Sequence, residues 1–247
     1  MKRYAILPLA ALALLAGCNK SGEGNGSAPT APAGSVAAVA APAGQDWTQT
    51  VAQTAEGGYV VGNPNAPLKL VEYGSRLCPT CGAFANTGMR PLMDNYVKTG
   101  KVSYEFREYL VHGAPDFAPA LLGRCAGTAP FFPMLEQMFA EQPNVLPKME
   151  DAGAFQQQIQ GRPPGQQFTA WAEKLGFIDF AKQRGLTEAQ ARACLTDQKQ
   201  IDALVKYMDA GTEKGVTGTP TFFLNGEKLD NLVTWQGVEG ALKNAGA

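Results

Sequence analysis

Leu68-Lys69-Leu70-Val71-Glu72-Tyr73 leads, through Gly74-Ser75-Arg76-Leu77, into Cys78-Pro79-Thr80-Cys81. The first six residues are mostly apolar and rich in strand formers, the pattern of a buried strand. Beyond the cysteines, Ala83, Phe84, Met89, Leu92, Met93 and Tyr96 return at three- and four-residue steps, which is a helix period. The two thiols therefore fall where a strand ends and a helix begins. Cys78 faces the free N–H groups and the positive end of that helix. Such a setting favours thiolate over thiol and draws the pKa below the ordinary value of about 8.5. Cys81, one turn on, is placed to close a disulfide with Cys78. Pro79 fits because the first helical turn asks no N–H of it.

A zinc site would call for about four N or S ligands, usually two such pairs. Cys125, Cys194 and the single His112 stand in no metal-ligand spacing. A structural disulfide across four residues would constrain little chain, because the stabilisation grows with loop length. The pair reads as a redox-active dithiol.

Strand–C-P-T-C–helix, together with Gly218-Thr219-Pro220-Thr221-Phe222-Phe223-Leu224-Asn225-Gly226, resembles the thioredoxin superfamily. More closely, residues 47–247 are similar to the DsbA-like periplasmic thiol-disulfide oxidoreductases. The resemblance implies an α/β thioredoxin-like fold with an inserted helical domain, catalysis by Cys78 and Cys81 tuned by Pro79 and Thr80, and no cofactor or metal. It implies a cis peptide at Thr219-Pro220, opposite the cysteines, whose neighbouring backbone pairs with substrate like an added strand. It also casts Glu72 as a buried acid that handles the proton of Cys81. A carboxyl in a buried strand has a raised pKa suited to that work. The residues alone equally allow an exposed strand-end glutamate, or one paired to lysine.

Upstream, Lys2 and Arg3 precede an apolar run from Tyr4 to Leu15 and then small residues. Residues 1–17 read as a signal peptide, too short for a permanent membrane span. Leu15-Ala16-Gly17-Cys18 resembles a lipoprotein cleavage box, which implies lipidation of Cys18 and a membrane-anchored, periplasmic protein. Asn19 resembles an outer-membrane address. Residues 18–46, rich in Gly, Ser, Ala and Pro, predict a flexible tether. They leave no room for the N-terminal dimerisation domain usual in the superfamily's isomerases, and a monomer is expected.

Losing Lys2 and Arg3 takes 21 basic against 22 acidic residues to 19 against 22, a net charge near −3. With no basic stripe, nucleic acid is excluded as an expected partner.

Strand patterns at 58–61 and 101–110, with the turn-rich segment 62–67, predict one part of the core (58–113) and residues 215–247 the other. Between them, 114–214 is helical by period, with segments at 119–126, 131–140, 168–175 and 201–208. Thr187-Glu188-Ala189-Gln190 is a capping box. Pro91 is expected to kink or interrupt the first helix. Arg76 reads as a solvated loop residue that lends some positive potential to Cys78, and His112 as a loop residue with no base-orienting partner. Asn225-Gly226 signals a type I′ hairpin, with Leu229 to Val233 returning as partner strand and a terminal helix at 238–242.

Cys125 and Cys194 both fall on predicted helices. In an oxidising compartment leftover cysteines usually pair, and the pair resembles the second, non-catalytic disulfide of some DsbA-like proteins. Two buried free thiols are the alternative.

The expected function is a thiol oxidase for exported unfolded proteins with free thiols, held around Pro220 and exposed apolar groups such as Phe84. A membrane partner resembling DsbB would reoxidise it. A reductase or isomerase with the same dithiol, and a lipid-anchored client-binding holdase without turnover, are the other readings.

Overall fold

The computed structural model, which describes residues 34–247, is built on six strands. These are β1 (Val51–Gln53), β2 (Tyr59–Gly62), β3 (Leu68–Gly74), β4 (Val102–Glu108), β5 (Thr221–Leu224) and β6 (Glu227–Leu229), in the order β1-β2-β4-β3-β5-β6. β3 and β4 are parallel and the other pairs antiparallel. The signal peptide and Cys18 lie outside the described residues. No helix among the described residues is long and apolar enough to cross a membrane.

Side-chain alternation divides the sheet into two faces. Leu70, Tyr104, Phe106 and Phe222 enter one core with Phe84, Leu92, Phe131, Trp235 and Leu242. Tyr73 and Phe223 point the other way, against Val216. Glu72 shares the first face with Leu70, two residues before it, so the strand's own period delivers a carboxyl into an apolar layer.

α1 (Pro79–Phe84), α2 (Arg90–Leu92) and the wide π turns Ala85–Met89 and Met93–Val97 form one unbroken run. Pro91 therefore does not interrupt it. The proline's missing N–H and its ring are accommodated by the wide turns on either side.

The insertion comprises α3 (Ala114–Cys125), α4 (Phe131–Ala140), α5 (Gln142–Val145), α6 (Ala152–Ile159), α7 (Pro164–Leu175), α8 (Phe177–Lys182), α9 (Glu188–Leu195) and α10 (Gln198–Glu213); α11 (Trp235–Asn244) closes the chain. It has its own core, including Leu121, Phe168, Trp171 and Leu204. α4 serves both cores: Phe131, Phe132, Leu135 and Phe139 pack against the sheet, Met134 and Met138 against the insertion. The predicted boundary between core and insertion is thus crossed by an amphipathic helix with two apolar sides. α3 begins at Ala114 and takes Pro119 into its interior, where the helix had been expected to start. The capping box at Thr187 and Gln190 forms.

Three further expectations shift. β1 pairs with β2 ahead of the expected core start at 58. β6 returns directly after the turn, with Phe222 opposite Leu229, because Asn225 and Gly226 both take positive φ (51° and 89°) and leave no extra loop. The tether prediction also gives way from Val36 onward. Val36 N donates to Gly246 O (2.8 Å), Val39 N to Thr99 O (2.9 Å), and the indole of buried Trp47 to Val39 O (2.7 Å). A few large apolar side chains in this stretch suffice to seat it.

Cys125 and Cys194 are joined, with Cα atoms 6.1 Å apart and 69 residues of separation. Replacing both by alanine is expected to lower the urea midpoint through a loss of roughly 4 kcal/mol, the chain-entropy value for such a loop. An unchanged midpoint would contradict that.

Candidate active site

β3 ends at Gly74, and the turn that follows is held by its own polar groups. Ser75 O accepts from Cys78 N (3.1 Å), and Ser75 Oγ accepts from Leu77 N (3.1 Å). Cys78 then caps α1 in an extended conformation, with Pro79 in the first turn, and its Sγ accepts from Cys81 N at 3.4 Å. Both thiols are free. Cys78 keeps 6% of its surface exposed and Cys81 none.

The two sulfurs are electrostatically opposite. The Cys81 thiol stabilises the Cys78 thiolate most, against the cost of burial; Thr219 and the N–H groups of Cys81 and Thr80 add to it, and the pKa is drawn down to about 5. Cys81 is pushed well above the usual thiol range, by burial first and then by its bond to Cys78 and the nearby Glu72 and Cys78. One sulfur is poised as nucleophile and leaving group, the other as a protonated partner.

Glu72 is 1% exposed, which removes the reading of a solvent-facing or lysine-paired residue. Its Oε2 accepts from Tyr104 Oη at 2.6 Å, while Oε1 has no partner among the described residues. Burial pushes its pKa to about 8; the Tyr104 bond pulls downward and Cys78 pushes upward. A carboxyl with this value, acting electrostatically on Cys81, can take and return a proton near neutral pH.

Register brings the second wall of the site. Thr221 stands opposite Tyr73 on β3, so Thr219 and Pro220, just before it, arrive at the level of the cysteine turn. The Thr219–Pro220 peptide is cis. Cys78 Sγ, as thiol, donates to Thr219 O at 3.3 Å.

Several residues in the site differ from their sequence reading. Arg76 is buried, not solvated: its Nε and Nη2 donate to Glu108 Oε1 (3.0 and 2.8 Å), and its guanidinium stacks over Phe131. Glu108 takes up its charge, so Arg76 fastens the turn. A side chain at Gly123 would strike this guanidinium, which explains the glycine inside α3. Phe84 is buried at 1% exposure and packs at a tilt against Phe222, so it offers no client surface. His112 does have an orienting partner, Asp116. Gln142 gave no sequence signal, yet its Nε2 donates to both Arg76 O (3.0 Å) and Cys78 O (2.9 Å). Gly82 leaves the room that Gln142 occupies.

The sequence profile of the family described as thioredoxin matches residues 54–244. The chain belongs to the thioredoxin family. A Rickettsia bellii protein, named provisionally as a protein-disulfide oxidoreductase, is 25% identical over 71% of this chain and 60% of its own length. The chain thus spans little more than half the length of the curated relatives it matches first. The crystal structure of a protein-disulfide isomerase from Novosphingobium aromaticivorans superposes with a TM-score of 0.71 at 26% identity, covering 75% of this chain and 95% of that one. Wolbachia pipientis α-DsbA1 superposes at 0.60 with 19% identity, over 75% of this chain and 89% of that one, a likeness of fold. The fold is thioredoxin-like with a helical insertion.

The thiolate carries a pH signature. In the reduced protein Cys78 titrates near 5 when folded and near about 8.5 when unfolded, so between those values the unfolded chain binds more protons. Stability of the reduced form should therefore rise with pH across that window relative to the oxidised form. The gain is complete near the unfolded value and lost as pH falls through 5. Glu72, whose raised pKa costs stability as pH climbs toward 8, is present in both forms and cancels to first order. Denaturant titrations of both forms at several pH values check this; parallel curves would contradict it.

Proposed function

We propose that the protein is a thiol-disulfide oxidoreductase that introduces disulfides into exported proteins through Cys78 and Cys81. The observation that carries this reading is the unlike placement of the two sulfurs: Cys78 caps α1, accepts from Cys81 N and meets Thr219, which holds its pKa down, while Cys81 is fully buried, which pushes its pKa up. A client thiolate attacks Cys78 of the oxidised pair, forming a mixed disulfide and releasing Cys81, which takes up a proton. The client's second thiolate then attacks the client sulfur of that bond, and Cys78 leaves as thiolate. A stable leaving thiolate favours the reduced enzyme, which is the property of an oxidant. Glu72 passes the proton to and from Cys81, and the backbone at Thr219 and Pro220 pairs with the client chain.

The further parts of the proposal follow the sequence. Lipidation at Cys18 anchors the protein in the periplasm, a membrane partner resembling DsbB reoxidises it, and it acts as a monomer. Cys18 lies outside the described residues. A second reading, isomerase or reductase, draws support from the likeness to the Novosphingobium protein-disulfide isomerase.

Purified oxidised protein is expected to oxidise a reduced, unfolded disulfide-containing client stoichiometrically, and Cys78→Ser to abolish the reaction. A couple near the thioredoxin potential of about −270 mV would favour the reductase reading instead. Client binding without oxidation, retained in Cys78→Ser, would replace both with a holdase.

A further inference from the structure

The turn that carries Cys78 is tied to a polar cluster that the exchange chemistry above leaves unused. His112, the single histidine of the chain, follows β4 in the loop before α3. Its Nδ1 lies 3.2 Å from both carboxylate oxygens of Asp116, and its backbone N–H donates to Asp116 Oδ2 at 2.7 Å. Asp116, 1% exposed, accepts a further bond from Ser75 Oγ at 2.8 Å. Ser75 in turn holds the N–H groups of Leu77 and Cys78. A continuous hydrogen-bonded path thus runs from the His112 ring to the backbone of Cys78.

The ring is also open to proton exchange, with 35% of the side chain exposed. Facing it across a groove, α6, α7 and the turn before α6 present Ala152, Gln156, Trp171 and Met149, none of them charged. The charges that act on His112 are Asp116 from its own segment and Cys78 from the active-site turn, Asp116 being the stronger.

We propose that His112, oriented by Asp116, is a positioning residue of the dithiol, its imidazolium balancing the buried carboxylate and stabilising the Cys78 thiolate, so that reduction of the disulfide and protonation of His112 are coupled. This rests on the reading of Cys78 and Cys81 as the exchanging pair. Losing the imidazolium would act twice in one direction. A cation near the thiolate disappears, and the Asp116 carboxylate under Ser75 is left without its counter-charge. Both disfavour negative charge on Cys78.

The step balances as follows. The Cys78–Cys81 bond takes two electrons and one proton, giving Cys78 thiolate and Cys81 thiol. The electrons come from a client dithiol, which becomes a disulfide and releases two protons. One goes to Cys81; the other goes to solvent or, where His112 is still neutral, to its ring. Coupling is reciprocal, so whatever His112 does for the thiolate, the thiolate does for the proton on His112.

A lone histidine makes the test direct. Its ring C2 proton gives one resonance to follow by NMR through a pH titration of the wild-type protein, oxidised and reduced. The midpoint is expected to be higher in the reduced form by about half a pH unit, the scale of one partly screened charge. In Cys78→Ser, which carries no thiolate at that position, the midpoint should match that of the oxidised wild type. In His112→Gln the pH profile of Cys78 alkylation is expected to move up by a similar amount, with the equilibrium constant against glutathione changing about threefold toward the oxidised enzyme. Equal histidine midpoints in oxidised and reduced wild type would overturn the proposal, and that comparison needs no variant to fold. An unaltered Cys78 profile in His112→Gln would overturn it too. An ordinary Cys78 profile in the wild type would instead undo the exchange reading on which the proposal stands.

Discussion

A sulfur that caps a helix, facing the thiol and the backbone N–H of Cys81, is the contact on which this molecule turns. Cys81 N donates to Cys78 Sγ because Cys78 is the residue that ends an extended segment and caps a helix. The amide would be unsatisfied in any helix, and here its complement is a thiolate. The Cys81 thiol contributes most to holding the thiolate, Thr219 and the first-turn amides add to it, and burial works against it. Together these groups outweigh burial and draw the Cys78 pKa down to about 5.

Much of the fold can be seen as holding that sulfur still and surrounding it with the right groups. Parallel pairing of β3 with β4 sends the chain through α1 and back, which puts the cysteine turn at the carboxyl end of the central strand. Antiparallel pairing of β5 brings Thr219 and Pro220 to the same level. Strand alternation buries Glu72 within electrostatic reach of Cys81 without any special device. The buried Arg76–Glu108 pair pins the turn from β4, and Gln142 pins it from the side of the insertion. A buried ion pair adds little net stability on general grounds, but breaking it by removing one partner costs about 3–5 kcal/mol. Its use here is to fix the backbone that carries Cys78.

The sequence revealed this core unevenly, for physical reasons. The strand, the C-P-T-C pair and the helix period are local patterns, and they stood out. Thr219-Pro220 and Asn225-Gly226 announce turn geometry through residues whose backbone preferences are strong. The burial of Arg76 is not legible locally, because burial of a cation depends on a partner supplied by another strand and a glycine supplied by a third element. Gln142 is a long way along the chain from the carbonyls it ties together. Phe84 carries the right period for a helix, but period does not say which apolar residue faces a neighbour and which faces solvent. His112 and Asp116 are four residues apart, yet their pairing needed a helix start at Ala114 rather than Pro119 to become visible.

Titration of the reduced protein by the thiolate absorbance near 240 nm tests the central claim most directly, with Cys78→Ser as the blank. The account predicts a single thiolate appearing with a midpoint about 5, contributed by Cys78, while Cys81 stays protonated well past the ordinary thiol range. Two thiols titrating together near about 8.5 would contradict it.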